Sequence, residues 1–360
     1  MSKSTVHANA QDDRVLTTRE LNRALLARQL LLDRTDVPLV EALERVAGLQ
    51  AQYAPSAYVG LWSRLGAFAR EALTRALEAK EAIEATLLRS TIHVVSARDF
   101  GLFAAGIRTA RREGWLRIVR KQLGVTEMEA VAARVRAHLA DGPRRRTELV
   151  ELLAAEGFPA RAWDGAGLWV DLVRVPPSGT WERRRADLFG LADDWHGVSR
   201  VAEADGMEHL VRRYLEGFGP ASLNDVANWA GVPVTTLRPV ADRLGLVRYR
   251  DERGRPLLDL PNRPLPDPDA RAPVRFLPTW DATLLVHARR ARILPEEYRR
   301  RIFHTKNPQS LPTFLVDGAV AGTWRYEGGK VSIEPFERLA PATRRELEDE
   351  AARLAAFHSE

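Results

Sequence analysis

Three stretches of this chain repeat one pattern, in which short amphipathic helices are followed by a strand-like ribbon. The clearest repeat lies at 219–260, where "LNDVANWAG" and "TTLRPVADRL" read as two helices joined by a turn. "LVRYR" and "PLLDL" then read as strands, with Arg253-Gly254 as the turn between them. Helix, helix and hairpin in this order describe a winged helix, a variant of the helix-turn-helix. We therefore expect a mixed α+β, mainly α fold that contains three tandem winged-helix units.

The other repeats and the chain ends complete the expected domain organisation. In the first repeat, Thr17, Thr18 and Glu20 mark a capped helix start, and "STIHVV" at 90–95 predicts a strand. After a proline-rich linker, turn signals predict a small antiparallel β unit, and Pro341 starts a C-terminal helix. The expected divisions are a flexible tail at 1–16, winged helices at 17–122, 123–202 and 203–262, and the β unit with its terminal helix at 274–360.

The composition excludes several classes of chemistry. The 360-residue chain contains no cysteine, which rules out disulfides, thiolate catalysis and cysteine-ligated zinc. Its eight histidines show no metal-binding spacing, so we expect no metal and no other cofactor. No apolar run approaches the ~20 residues of a membrane span, and the N-terminus lacks the apolar core of a signal peptide. The expectation is a cytoplasmic protein, and no heptad run or exposed apolar stripe argues against a monomer.

Positive charge is concentrated in the middle of the chain. The formal net charge is +6, and residues 108–185 hold sixteen Arg and Lys against ten acidic residues. Such a segment suits a polyanion, although solvated helix faces would give the same count. Two arginine trios are candidates for phosphate contacts on DNA, one at a helix start and one on the second ribbon: Arg144, Arg145, Arg146, and Arg183, Arg184, Arg185. Three consecutive side chains cannot follow one phosphate track, so at most two of each trio should matter.

Two glutamines stand two residues apart in "GLQAQYAPSAYVGLW", between a helical run and a proline. A glutamine cannot transfer protons at useful pH, but its amide can hold a water molecule through both donors and acceptors. Pro55 disfavours a helical conformation at Ala54, so Gln50 and Gln52 can project to the same side of an extended or turn segment. In an arbitrary sequence, such a pair is more often two surface amides near a helix end.

Five segments of the chain match, in order, the pattern of a known bacterial family. They are "GLQAQYAPSAYVGLWSRL", "LLRSTIHVVSARDF", "YLEGFGPASLNDVANWAG", "FLPTWDATLLVHARRARILP" and "PTFLVDGAVAGTW". Across roughly residues 17–355, the chain resembles the winged-helix alkylpurine DNA glycosylases of the AlkZ and YcaQ type. Because Gln52 occupies the last position of the Gln-x-Gln motif, where the YcaQ branch has Asp, the chain resembles the AlkZ branch. The family often has an acidic residue before the arginine of its H-x-x-R segment, whereas this chain has Arg289.

The resemblance implies a monofunctional DNA glycosylase that acts on double-stranded DNA containing alkylated purines. It would hydrolyse the N-glycosidic bond of bulky N7-alkylpurine adducts and of interstrand crosslinks, as self-resistance to a DNA-alkylating natural product. Gln50 and Gln52 would be the catalytic residues that place the attacking water. An N7-alkylated purine is already cationic, so its departure does not need a proton donor.

Five further residues are candidates for substrate binding: Tyr53, His93, Asp281, His287 and Arg290. Tyr53 can stack on a base or sugar, or pack in the core. Strand alternation separates His93 from its apolar neighbours and aims it at a lesion pocket, unless it is bonded to a neighbouring loop. The other three match the family pattern as pocket or phosphate-facing residues, or form an internal ion pair. The loop at 303–312 is a candidate lesion-probing element.

Two alternatives stay open. A non-enzymatic winged-helix transcription regulator would bind DNA through a recognition helix and release no base. The candidate helices "LNDVANWAG" and "TTLRPVADRL" carry few residues able to read base edges, which counts against this alternative. A broad repair glycosylase for simple N7-methylpurines would share the site but lack the preference for bulky adducts.

Overall fold

The computed structural model describes residues 14–196, 201–303 and 310–360. About half of the chain is helical, and nearly all strand pairs are antiparallel, as expected for the mixed fold. Two predictions fall partly outside the described residues: the flexible tail up to residue 13, and positions 304–309 of the lesion-probing loop. Within the described ranges, no helix is long and apolar enough to cross a membrane.

The described residues form the following helices and strands. The α-helices are α1 (Thr18–Arg28), α2 (Leu39–Arg45), α3 (Pro55–Arg64), α4 (Arg70–Glu78), α5 (Ala97–Leu123), α6 (Met128–Leu139), α7 (Arg146–Ala155), α8 (Arg161–Ala166), α9 (Asp193–His196), α10 (Glu203–Phe218), α11 (Leu223–Ala230), α12 (Val234–Arg243), α13 (Arg299–Ile302) and α14 (Pro341–Ser359). The strands are β1 (Arg14–Leu16), β2 (Leu49–Gln50), β3 (Ala82–Thr86), β4 (Ile92–Ser96), β5 (Arg144–Arg145), β6 (Leu172–Arg174), β7 (Leu188–Leu191), β8 (Val247–Asp251), β9 (Pro256–Asp259), β10 (Arg275–Leu277), β11 (Thr313–Val316), β12 (Ala319–Glu327) and β13 (Lys330–Pro335).

Local signals set several helix ends. The Thr17 hydroxyl accepts a bond from the Glu20 amide, and the Glu20 carboxylate accepts one from the Thr17 amide, which is the predicted start of α1. Gly231 ends α11 in the left-handed region at φ 75°, and Pro233 comes directly before α12. Pro341 occupies the first turn of α14, as predicted. These caps explain why the helix boundaries were readable from the sequence.

The strands of the first two predicted repeats lie in one six-stranded sheet. Its order is β2-β4-β3-β6-β7-β5, and every pair is antiparallel. The strands of the two repeats meet where Glu84 of β3 lies opposite Arg174 of β6. The sequence predicted a ribbon for each repeat but not that the two ribbons pair in one sheet. This pairing provides partners for the backbone N–H and C=O groups that would be unpaired at the edge of an isolated hairpin.

Two smaller sheets complete the fold. β8 and β9 form the predicted hairpin, and β1 pairs in parallel with β8. Residues 14–16, expected to be part of a flexible tail, therefore form a strand, because the edge of β8 offers them backbone partners. The C-terminal sheet has the order β10-β11-β12-β13, with tight turns at Asp317-Gly318 and Gly328-Gly329 as predicted.

The 27-residue helix α5 links the six-stranded sheet to the third repeat. It packs along α10, and the two backbones meet at Gly106 and Gly206. A Cβ on Gly106 would lie 2.6 Å from the carbonyl oxygen of Gly206, so a side chain there would push the helices apart. The middle of α5 also brings Arg111 against the end of β3, where its guanidinium donates to the carbonyl oxygen of Thr86.

Candidate active site and nucleic-acid interface

The glutamine pair lies where the six-stranded sheet gives way to α3. Gln50 ends β2 opposite His93 of β4, and Gln52 stands in the bend before α3. The segment is non-helical, as predicted. The reason given for it was wrong, however, because Ala54 adopts helical angles (φ −48°, ψ −45°) and Pro55 starts α3. Proline is well tolerated at the first position of a helix, where its missing N–H needs no partner.

Each glutamine is held through its carbonyl oxygen. The buried Gln50 accepts a hydrogen bond from the Arg89 guanidinium at 3.2 Å. The exposed Gln52 accepts one from the backbone N–H of Ile92, also at 3.2 Å. A carbonyl oxygen has a second lone pair, and neither amide nitrogen has a protein partner in the part of the chain that is described. Both side chains therefore keep free donors and acceptors.

Two arginines beside Gln50 were not predicted as site residues. Arg89 sits in the turn between β3 and β4 at φ 51°, and Arg111 donates to Ser90 Oγ at 3.2 Å. Burial lowers the pKa of Arg89, and it lowers the pKa of Arg111 to about 10, which is well above neutral pH. An arginine guanidinium stays protonated in proteins. Among the described residues, neither forms an ion pair with a carboxylate, and the buried Arg111 Nε has no hydrogen-bond partner. Sequence spacing carries no signal for this cluster, since its members meet only through the fold.

His93 is buried beside these arginines. Burial, together with the nearby Arg89 and Arg111 charges, lowers its pKa to about 3, so the ring is neutral at pH 7. Its Nδ1 donates to the carbonyl oxygen of Thr91 at 3.0 Å. Strand alternation does not separate His93 from an apolar side, because both faces of β4 are covered, with Val94 and Val95 in different core clusters. The alternative of a histidine bonded to neighbouring backbone fits these contacts. A proton-donor role at neutral pH does not fit the low pKa of the ring.

Arg290 adds a third guanidinium near this cluster. It stacks on the Phe303 ring at 4.4 Å, and its buried Nε has no partner within the described segments. Burial lowers its pKa, and the charges of Arg299 and Arg89 lower it further, which places Arg290 within electrostatic range of Arg89. Arg290 thus joins the surroundings of Gln50, while the neighbouring Arg289 is exposed.

Asp281 and His287 make internal contacts instead of facing a pocket. Asp281 receives two hydrogen bonds from Arg64, both at 3.0 Å, and the two side chains are 1% and 0% exposed. His287 is 2% exposed, and its Nδ1 lies 3.2 Å from the Tyr214 hydroxyl. For Asp281, the alternative of an internal ion pair describes the geometry. Both side chains have internal partners because the C-terminal segment packs against α3 and α10, which the sequence did not reveal. Substrate contact at either residue stays a prediction.

The first arginine trio lies at β5 and the start of α7. Arg144 donates to the carbonyl oxygen of His138, and Arg145 pairs with Asp187 at 3.3 Å. Arg146 lines a cavity of about 260 Å³ together with Arg111 and Arg174. We call this space the arginine cavity. Its three guanidiniums come from the second repeat and from α5, and they make it a candidate binding site for phosphate groups.

The second trio lies in the loop between β6 and β7, not on a strand. Arg184 donates to the Tyr53 hydroxyl at 2.8 Å and stands over the Trp181 ring at 5.8 Å. Arg183 is exposed, and its guanidinium has no protein partner among the described residues, while Arg185 pairs with Asp187 at 2.8 Å. Two predicted residues far apart in sequence, Tyr53 and Arg184, are thus in direct contact. Trp181 is 6% exposed and packs in the core.

No group of three or more His, Asp or Glu side chains in the described parts of the chain comes together in a way that could hold a metal ion. The site is therefore composed of two amides, a neutral imidazole and a set of guanidiniums. Such a site can orient water and bind anions.

Comparisons with known proteins identify the class as a DNA glycosylase. Residues 43–357 match the family model described as "DNA glycosylase AlkZ-like". An "Interstrand DNA cross-link repair glycosylase" of Streptomyces sahachiroi is 24% identical, and the alignment covers 92% of this chain and 93% of the relative. The solved structure of the Streptomyces sahachiroi DNA glycosylase AlkZ aligns with a TM-score of 0.81 and 20% identity, covering 96% of this chain and 97% of that one.

The chain belongs to the AlkZ-like DNA glycosylase family. The resemblance inferred from the glutamine motif and the four other segments is confirmed, and so is the expectation of a DNA glycosylase. This assignment removes the alternative of a non-enzymatic regulator. The solved structure also shows the same overall fold.

Proposed function

We propose that this enzyme hydrolyses the N-glycosidic bond of bulky N7-alkylpurine adducts, including those in interstrand crosslinks, with a water held by Gln50 and Gln52. The observation that carries the proposal is the placement of a pinned glutamine amide inside a group of guanidiniums without carboxylate partners in the described structure. That arrangement suits a DNA strand beside a bound water. A role in self-resistance to an alkylating natural product is part of the same proposal.

The chemistry needs no acid from the protein. Alkylation at N7 leaves the purine cationic, so the base departs without protonation, and catalysis reduces to water placement and support of a cationic sugar. The depressed pKa of His93, caused by burial, supports this division of labour because the ring carries no proton to give near pH 7. The free lone pairs and amide N–H groups of Gln50 and Gln52 are the remaining groups that can orient a water.

The guanidiniums require a partner before they favour the reaction. A sugar that develops positive charge would be repelled by Arg89 and Arg111 if they stayed unpaired. DNA phosphates would neutralise them, and the same contacts would anchor the damaged strand. We assign Arg89, Arg111 and Arg290 to this role, with Arg146 and Arg183 at the outer surface. Of the two trios, Arg144, Arg145, Arg184 and Arg185 already have protein partners within 3.3 Å and should contribute less, whereas Arg146 has a longer, 3.5 Å ion pair with Asp164.

We also propose that the chain works as three tandem winged-helix modules, at 17–122, 123–202 and 203–262, with the β unit at 274–360 closing one side of an open cleft. The α11, α12 and β8–β9 order supports the third module. A bulky crosslink cannot be extruded freely into a closed pocket, so an open cleft suits such a substrate.

The experiment measures base release under single-turnover conditions from duplexes that carry N7-methylguanine, a bulky N7-alkylguanine or a crosslink. The proposal expects release from the bulky substrates and none from undamaged DNA. Equal rates for the methyl and bulky adducts would support a glycosylase activity but contradict the proposed preference for bulky adducts. An Arg89→Gln variant should lower the rate because Gln50 loses its hydrogen-bond donor. Arg98→Gln, which removes an exposed ion pair with Glu44, is the matched control.

A further inference from the structure

A cavity next to the glutamine motif is lined by aromatic rings. It encloses about 270 Å³ between the start of α3, the loop between β6 and β7, and the C-terminal sheet. Its walls include Tyr53, Trp324, Tyr326 and His358, with Arg184 among the lining residues. We call it the aromatic cavity. Since a dry cavity of about 150 Å³ holds one benzene ring, the volume suits a two-ring aromatic group.

Two buried polar atoms of the lining residues have no hydrogen-bond partner in the part of the protein that the structure describes. Ser56 is 3% exposed, and its hydroxyl, at the second residue of the ten-residue helix α3, forms no hydrogen bond. His358 stacks on Tyr326 with ring centroids 4.2 Å apart and an interplanar angle of 19°, yet its Nε2 is also unpaired. Burial lowers the pKa of His358 to about 4, so the ring is neutral at pH 7. Buried polar groups are rarely left unsatisfied, which makes these atoms candidates for contacts with a ligand.

The position of the cavity relates it to the reaction. Tyr53, a wall residue that is 43% exposed, directly follows Gln52, so their Cα atoms are about 3.8 Å apart. Because Arg184 donates to the Tyr53 hydroxyl, the ring of Tyr53 is held at this boundary. The cavity wall thus begins at the residue that follows Gln52, which places the cavity beside the proposed reaction site.

We propose that the aromatic cavity binds a flat, two-ring aromatic group of the DNA adduct, with a polar ring edge towards Ser56 and His358. This inference rests on the proposed function. Offset and edge-to-face contacts with Tyr326 and Trp324 would hold the ring faces. Phosphate is a poorer fit, since aromatic rings, prolines and Val59 make up most of the lining. The group can be a ring system of the alkylating agent or the alkylated purine itself, and the experiment separates these sources.

The test uses the full chain and the variant Tyr326→Ala. The control is Tyr298→Ala, because Tyr298 is also partly exposed, stacks on an aromatic ring (Phe336, centroids 4.8 Å apart) and bonds through its hydroxyl at the surface, but does not line the cavity. Single-turnover rates and half-saturating concentrations are measured on duplexes with N7-methylguanine and with N7-(quinolinylmethyl)guanine. Loss of one stacking contact should lower the ratio of the single-turnover rate to the half-saturating concentration by about tenfold for the affected adduct.

The outcomes separate the two sources. A selective loss of about tenfold on the quinolinylmethyl adduct assigns the cavity to the appended ring, whereas an equal loss on both substrates assigns it to the purine. No loss, or the same loss in Tyr298→Ala, overturns the proposal.

A binding measurement keeps the inference distinct from the reaction. Quinoline and 7-methylguanine are titrated separately into the protein, with NMR detection of isotope-labelled tyrosine and histidine rings. Shifts in the signals of Tyr326 and His358 support the site even if no base is released, in which case the proposed function fails alone. An absence of shifts for both probes at millimolar concentration overturns the site even if the enzyme is active.

Discussion

The ion pair between Asp281 and Arg64 decides whether Asp281 is structural or acts on substrate. The two side chains are 1% and 0% exposed, and two 3.0 Å hydrogen bonds join them. Asp281 also accepts bonds from the hydroxyl and the amide of Thr283. Burial raises the pKa of Asp281, but Arg64 and Thr283 lower it more, so the carboxylate is charged at neutral pH.

Asp281→Ala should lower the free energy of unfolding by about 3–5 kcal/mol, because it leaves a buried guanidinium without its counter-ion. The remaining acceptors of Arg64, the Gly60 carbonyl and the Gln29 side-chain oxygen, do not carry a full negative charge. A double variant, Asp281→Leu with Arg64→Met, should be more stable than Asp281→Ala, since neither charge remains buried. Urea denaturation at pH 7, followed by circular dichroism, measures all of these.

The matched control is Asp269→Ala, whose carboxylate is 91% exposed in a 3.7 Å ion pair with Arg19. It should change stability by less than about 0.5 kcal/mol. The folded Asp281→Ala protein should release base within about tenfold of the wild-type rate, since the side chain touches no cleft. A destabilisation below about 1 kcal/mol together with a rate loss of roughly 100-fold would refute the structural assignment.

Three further predictions concern ionisable groups that the fold covers. The single-turnover rate should show no inflection near pH 6.5, because burial keeps His93 neutral above about pH 4; an inflection that disappears in His93→Gln would contradict this. Glu84 is buried opposite Arg174, and burial raises its pKa to about 8. The unfolded chain releases this proton above its ordinary pKa of about 4.5, so the free energy of unfolding should fall as the pH rises from 4.5 to 8. Glu84→Gln should remove this pH dependence. An unchanged pH dependence in the variant would show that Glu84 is ionised in the folded protein. Arg111→Gln should reduce the slope of the logarithm of the DNA-binding constant against the logarithm of the salt concentration by about one. Arg117→Gln, on the exposed side of α5, should leave this slope unchanged. Equal slopes in the two variants would show that Arg111 does not contact phosphate.

The elements that the sequence predicted well are those with local signals. The capping pair Thr17 and Glu20, the hairpin around Gly254 and the C-terminal helix from Pro341 all depend on residues within a few positions of each other. The pairing of β1 with β8 and the pairing of β3 with β6 both join strands that are far apart in the chain, so no local sequence pattern predicts them.

The same distinction applies to the site. The glutamine motif was found because its unusual residues lie together in the sequence. Arg89 and Arg111 were missed because a half-buried arginine without an acidic partner is recognisable only when its three-dimensional neighbours are known. Asp281 and His287 have the residue types of a binding site, yet packing against Arg64 and Tyr214 gives them internal partners.

The most direct test compares wild type with Gln52→Ala on one duplex that carries a bulky N7-alkylguanine. Gln52 is exposed, and its one hydrogen bond within the described residues is the 3.2 Å bond from the Ile92 amide, so the variant should fold and bind DNA almost unchanged. Without the amide that orients water, the single-turnover rate of base release should fall roughly 100-fold or more. Equal rates for the two proteins at matched DNA occupancy would contradict the glutamine mechanism.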